Sequence, residues 1–224
     1  MTQDQLLFGA FPYVALALAI IVTTLRFTSR KFSYSSLSSQ FLEKKKLFWG
    51  SVSWHYGLFV LLAGHLVAFL IPRSILAWNG TPWRLYVLEG SALVCGLLVV
   101  WGMIALIYRR ISSAKIRVVT SKMDVILLLV LLIQVVAGVY IAIYYRWGSS
   151  WFASSMTPYL WSILSFSPDL SFINTMPFAV KLHIFGAWLL VALLPFTRLV
   201  HFLSFPFSYF RRPNQVVVWY RKKY

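Results

Sequence analysis

The sequence predicts an all-α fold: a polytopic membrane bundle of five transmembrane helices, amino terminus outside and carboxyl terminus in the cytoplasm. Three observations predict it. Apolar residues make up 60% of the chain and charged residues only 12%, about half the charged share of a soluble domain. The apolar residues fall in five blocks, roughly 7–26, 47–71, 85–108, 123–145 and 178–204, each near the length of about 20 residues that crosses a bilayer. Lysine and arginine are distributed by side. Arg26, Arg30, Lys31, Lys44, Lys45 and Lys46 lie between the first two blocks, and Arg109, Arg110, Lys115, Arg117 and Lys122 between the third and fourth. Arg198, Arg211, Arg212, Arg221, Lys222 and Lys223 lie at or beyond the end of the fifth, whereas the other side carries only Arg73, Arg84, Arg146 and Lys181. Positive residues collect on the cytoplasmic side of membrane proteins, which sets the orientation.

Each block must be helical, because a segment in lipid has to satisfy its own backbone hydrogen bonds. The first block has no basic leader and no evident cleavage site, so it reads as a span and not as a signal peptide. The fourth opens at Asp124, expected as a helix N-cap that accepts free backbone N–H groups. Between the fourth and fifth, residues 146–176 are rich in Trp, Ser and Pro, including Trp147, Trp151, Pro158, Trp161 and Pro168. Tryptophan favours the water–lipid boundary, so this stretch reads either as a short interfacial helix or as a loosely ordered outer loop. No repeat or linker divides the chain, and 1–224 is expected to form one transmembrane unit. The segments 30–46 and 202–224 are the expected surfaces for docking a soluble partner.

The net charge of +16 does not imply nucleic acid, since the basic residues flank spans and form no single stripe. The lone Cys95 excludes an intrachain disulfide, a Cys-ligated iron–sulfur cluster and a thioether-linked haem.

The chemistry rests on four histidines: His55 and His65 in the second span, His183 and His201 in the fifth. Ionisable residues inside spans are rare, face the bundle interior and are functional by default. The second span runs outward and the fifth inward, so antiparallel neighbours match His55 with His201 near the cytoplasmic end and His65 with His183 further out. Two facing imidazole pairs at two depths suit two stacked b-type haems, each with both axial positions filled and therefore suited to electron transfer. Straight helices do not fit this in full. Ten residues rise about 15 Å and turn the side chain about 80° away, while eighteen rise about 27 Å and return to the same face. Pro195, six residues before His201, is where the fifth span is expected to kink. Zinc would want ligands closer in sequence or a Cys or carboxylate partner. A proton relay would recruit acids, and the only one well inside a span is Glu89. A transporter would further show helices broken in two symmetric halves, and a purely structural anchor leaves four buried histidines without a purpose.

The sequence resembles the membrane cytochrome b (gamma) subunit of respiratory nitrate reductase. The resemblance is carried by Ser39-Gln40-Phe41-Leu42, His55, Gly64-His65 with Pro72, Tyr108-Arg109-Arg110, Val118-Val119-Thr120 through Asp124, Gln134, Lys181-Leu182-His183, and Leu194-Pro195-Phe196-Thr197-Arg198-Leu199-Val200-His201. It covers most of the chain and is weakest over 146–176. It implies a multi-pass protein of a prokaryotic cell membrane that oxidises quinol near its outer face and releases the protons there. It further implies two non-covalent haems, His65 and His183 holding the outer and His55 and His201 the inner. Electrons would go on to an iron–sulfur subunit and a molybdenum catalytic subunit that reduces nitrate, both on the cytoplasmic face. The quinol site would include Gly64, His65 and a basic residue before the third span, here Arg84 in place of Lys. Arginine can donate a hydrogen bond to a quinone oxygen, but it does not lose its proton as lysine can. Gly64 would let a flat ring approach closely. Arg109, Arg110 and Arg198 are candidates for haem propionates, against a purely topological role. Glu89 would accept a quinol proton or, as the preferred reading, tie two helices together; Gln134 and Gly138 read as helix-packing residues. The same fold type serving sulfite or heterodisulfide reduction is the alternative within electron transfer, since the terminal acceptor belongs to partner subunits.

Overall fold

Proline and small polar residues punctuate the apolar blocks, and the helices begin and end there. The computed structural model describes residues 2–29 and 39–203, and among these every regular element is helical. A π-helical turn, Gln5–Ala10, runs into α1 (Phe11–Ser29). Then come α2 (Lys45–Leu70), α3 (Pro72–Asn79), α4 (Pro82–Ser112), α5 (Ala114–Val118) and α6 (Lys122–Tyr144). Short helices follow: α7 (Gly148–Trp151), a π-helical turn Phe152–Met156, α8 (Thr157–Leu164) and α9 (Ser171–Asn174). The last long helix is α10 (Phe178–Leu193). Pro72 and Pro82 open α3 and α4, where the missing N–H is not needed. Five segments are long and apolar enough to cross a membrane: Gln5–Ser29, Lys45–Leu70, Pro82–Ser112, Lys122–Tyr144 and Phe178–Phe196. The five expected spans are therefore present. Arg30, Lys31, Arg211, Arg212, Arg221, Lys222 and Lys223 lie outside the described residues, as does most of the two expected docking surfaces.

Three expectations are corrected. Asp124 is not the N-cap of α6. Ser121 is, and its hydroxyl accepts from the Asp124 N–H while the Asp124 carboxylate accepts from the Ser121 N–H at 3.0 Å, a reciprocal capping box. The fifth span does not continue as one helix to residue 204. Pro195 has no N–H to give the helical ladder, and the chain tightens to a 3-10 turn at Leu194–Phe196. It then passes through an extended Thr197 (φ −122°, ψ 179°) into a second 3-10 turn, Arg198–Phe202. Finally, α2 and α10 are not closely packed neighbours. The main packing runs α1 on α10, α10 on α6, α6 on α4 and α4 on α2, which sets α2 and α10 on either side of α4 and α6.

Small residues set the closest packing, as they do where lipid tails supply no hydrophobic force between helices. A Cβ on Gly102 of α4 would lie 2.5 Å from the Trp54 backbone N of α2, and one on Gly57 would lie 2.8 Å from the Cys95 carbonyl. Trp54, Val99 and Met103 fill the space beside these contacts. At one end of the bundle the basic residues are tied together: Arg26 donates to the Pro195 carbonyl, and Lys46 donates to the Ser112 hydroxyl at 3.0 Å. At the other end Lys181 pairs with Asp4 at 2.6 Å, so the first and fifth membrane segments are tied together near both ends. Here residues 146–176 resolve the choice left by the sequence: they are short helices, and they supply much of the best-buried core. Tyr159, Ile163, Ile173 and Met156 pack with Phe8, and the Tyr159 hydroxyl donates to the Phe8 carbonyl at 2.8 Å. Burial pushes the Tyr159 phenol up to about 12.

Candidate functional site: two histidine pairs

All four histidines make the same kind of contact. The Nδ1 of His55 lies 2.7 Å from the Ser51 carbonyl, that of His65 2.7 Å from the Leu61 carbonyl, that of His183 3.0 Å from the Gln134 carbonyl, and that of His201 2.6 Å from the Arg198 carbonyl. A carbonyl oxygen only accepts, so each Nδ1 carries the proton and donates it. In a neutral imidazole this leaves the Nε2 lone pair of every ring as an acceptor or metal ligand. A donor N–H engaged in this way also fixes the ring and raises the basicity of the other nitrogen, as is usual for ligating histidines.

Local structure explains three of these contacts simply. On α2, His55 and His65 reach back one turn to the carbonyl four residues earlier, and on its 3-10 turn His201 reaches back three. His183 instead reaches across from α10 to α6. It can do so because Gly138 has no side chain: a Cβ there would lie 3.0 Å from His183 Cε1. Gln134, read from the sequence as a packing residue, proves to be the partner of a histidine. Its Nε2 lies 3.5 Å from His183 Nε2, its Oε1 is buried without a partner among the described residues, and a Cβ on Gly186 would collide with that oxygen. A lone amide in the middle of an apolar span was the only sequence signal.

The rings of His55 and His201 come together, with centroids 6.3 Å apart and planes at 71°. The edge of His65 meets the Phe152 ring at 5.1 Å. Of the two expected pairs, His55 and His201 are brought into ring contact. His201 achieves it from the turn beyond the helix break and not from the helix itself. Beside His65, Gly64 leaves the α2 surface open, with no atom within 4 Å of where a Cβ would stand. At the start of α4 the Arg84 guanidinium lies 4.9 Å from the Trp78 ring and 5.7 Å from the Trp83 ring, a cation–π arrangement. Its Nε is buried without a hydrogen-bond partner among the described residues.

The three arginines at the basic end have protein partners. Arg109, 4% exposed at its side chain, donates to Glu43 Oε2 at 2.8 Å, to the Ser39 hydroxyl, and to the Ser39 and Glu43 carbonyls. Partial burial works against ionisation of Glu43. The Lys46 backbone N–H at 2.7 Å and the Arg109 guanidinium outweigh it, so the carboxyl titrates below its ordinary value. Arg110 and Arg198 share the buried Asp124, at 3.4 Å and 2.6 Å. Glu89 accepts from the Ser149 N–H at 2.8 Å and its hydroxyl at 2.6 Å, tying α4 to α7 as the preferred reading expected.

The donor sets favour one ligand chemistry. Among the described residues no group of three or more His, Cys, Asp or Glu side chains is placed to hold a metal ion, as a tetrahedral zinc site would require. Imidazoles that donate from Nδ1 to a carbonyl have the tautomer in which Nε2 can ligate a haem iron.

Comparison with known proteins agrees. The family model described as nitrate reductase gamma subunit matches residues 4–220. The nitrate reductase gamma chain of Bacillus subtilis is 34% identical over 225 residues, 99% of each chain. The respiratory nitrate reductase 2 gamma chain of Escherichia coli is 29% identical over 94% of each chain. A nitrate reductase-like protein of Mycobacterium tuberculosis, NarX, is 28% identical over 94% of this chain but only 33% of its own length. This chain belongs to the nitrate reductase gamma subunit family, the haem b-containing membrane subunits of that oxidoreductase complex.

Proposed function

We propose that the chain is a dihaem cytochrome b that oxidises quinol and delivers the electrons to the iron–sulfur and molybdenum subunits of a nitrate reductase. The observation that carries this reading is the common state of the four histidines. Each Nδ1 donates to a backbone carbonyl, the tautomer in which Nε2 is the nitrogen that would bind iron, and the rings of His55 and His201 stand together. His55 and His201, with ring centroids 6.3 Å apart, would hold one haem between them. The haems would supply one-electron transfer, with no axial position left for a substrate.

The residues have distinct tasks. His55 and His201 hold the group at the basic end, and His65 and His183 the group at the Trp-rich end. Gly64 keeps the face beside His65 open to a flat ring. Arg84, held against the Trp78 and Trp83 rings, would offer its guanidinium charge to a quinone oxygen. The bias of basic residues puts the bundle end holding Arg109, Arg110 and Arg198 in the cytoplasm of a prokaryotic cell, so the quinol protons leave on the opposite face. The partner subunits dock at the cytoplasmic end. There the basic residues already satisfy acidic ones, and Arg109, Arg110 and Arg198 act first as structural braces; a propionate would have to share them with Glu43 and Asp124.

The test is haem per polypeptide by pyridine haemochrome on the purified subunit, with a reduced-minus-oxidised spectrum. Two low-spin b haems are expected. Folded protein without haem would overturn the reading and leave a histidine relay in its place.

A further inference from the structure

We propose that Asp124 is a positioning residue for His201, acting through Arg198; this rests on His201 being an iron ligand. The argument begins with the break in the fifth span. His55 and His65 lie within the 26-residue α2, and His183 lies within α10. Their backbones are held by continuous hydrogen-bond ladders. His201 alone sits on a five-residue 3-10 turn beyond an extended residue, a conformation with poorer hydrogen bonds that does not hold its direction over distance. A ligand there needs an anchor from outside its own element.

Arg198 supplies it. Its Nε donates to Asp124 Oδ1 at 2.6 Å, and its Nη2 donates to Asp124 Oδ2 at 3.1 Å and to the Val119 carbonyl at 3.3 Å. The backbone carbonyl of the same residue receives the His201 Nδ1–H. One residue therefore grips α6 with its side chain and orients the imidazole with its main chain. The carboxylate is itself fixed: it is 5% exposed, accepts the Ser121 N–H, and pairs with Arg110 at 3.4 Å. Arg110 belongs to α4, the helix packed on α2, which carries His55. Asp124 thus links the two sides of the basic-end pair and sets the gap between its rings. Buried Val200 holds the turn against the bundle, but a methyl contact does not fix the direction of the ring.

The experiment uses the assembled complex carrying R198Q, D124N, R198K or S121A. It reads haem retained per polypeptide, the low-spin electron paramagnetic resonance signals and the midpoint potentials. The haem at the other pair is the internal reference, and H201A and H183A assign the two signals. R198Q and D124N should weaken retention at the His55–His201 site by about 10–100-fold, the usual cost of losing a partner that orients a ligating histidine. They should also shift that signal and potential while the other haem stays unchanged. R198K, which keeps a charge-assisted bond to Asp124, should keep most of the wild-type retention and signal. S121A removes the helix cap without cutting the tether, and should leave both haems as in the wild type. A wild-type basic-end signal in R198Q and D124N would overturn the proposal. So would equal changes at both haems reproduced by S121A, which would reduce Asp124 to a helix cap. A wild-type complex without two haems would instead overturn the reading on which the proposal stands.

Discussion

At the basic end of the bundle, His201 rides on a short turn outside any α-helix and is held by charge: Arg198 to Asp124, Asp124 to Arg110, and Arg109 to Glu43 nearby. At the opposite end, His183 is part of a continuous helix and is held by one hydrogen bond to the Gln134 carbonyl of α6 and by packing. Gly138 admits its ring, Gln134 faces it, and a core of Phe8, Tyr159, Ile163 and Ile173 closes the bundle with few charges. The two ends present the same ligand in the same tautomer by different means. A helix orients a side chain without help, so its surroundings need only fit. A turn does not, and a network of directional, charge-assisted bonds has to replace the ladder.

The difference can be broken from either side. The largest effect falls on the histidines themselves. H201A should remove one of the two low-spin haem signals and H183A the other, and both should stop quinol-dependent nitrate reduction; spectra and activity of the purified complex check this. Next is the charge network. E43Q leaves the guanidinium of Arg109 buried without its counter-charge, and should cost roughly 2–3 kcal/mol in thermal or denaturant stability. Because the folded-state pKa of Glu43 is lowered, its contribution is fully present above the ordinary carboxylate range and is lost as pH falls through the folded value. The stability gap between wild type and E43Q should therefore close in acid and hold steady near neutrality. On the packed side, Y159F deletes a buried hydroxyl that satisfies the Phe8 carbonyl, and should cost about 1–1.5 kcal/mol with no closing of the gap in acid. The smallest effect is expected for D4N. The Asp4–Lys181 pair is short but partly exposed, with side chains 28% and 21% accessible, so about 0.2–1 kcal/mol is expected and should shrink further in high salt.

Much of this architecture is legible without coordinates. The five spans follow from apolar blocks of bilayer length, and the meeting of His55 with His201 follows from antiparallel topology. Both are one-dimensional facts, because a lipid-exposed segment must be a helix and alternation of direction orders residues by depth. The errors fall where one dimension is insufficient. Pro195 announced a disturbance of the fifth span, but proline permits either a kink or a stop, and the choice depends on whether neighbours can satisfy the freed carbonyls. Asp124 looked like an N-cap because Asp is common there; Ser121 took that place and left Asp124 free to bind two arginines. Residues 146–176 left helix and loop equally open because their periodicity is short and their partner, Phe8, lies some 150 positions earlier in the chain.

The sequence by itself determined that this is a helical membrane protein and how many times it can cross. Hydrophobic length and charge bias act locally and need no partner to be read. Tertiary structure alone decided that every Nδ1 would meet a carbonyl and that Gln134 would face His183. It alone also decided that Arg109, Arg110 and Arg198 would be claimed by Glu43 and Asp124. Those outcomes depend on contacts between helices far apart in sequence, where a missing Cβ or a broken turn settles which donor reaches which acceptor.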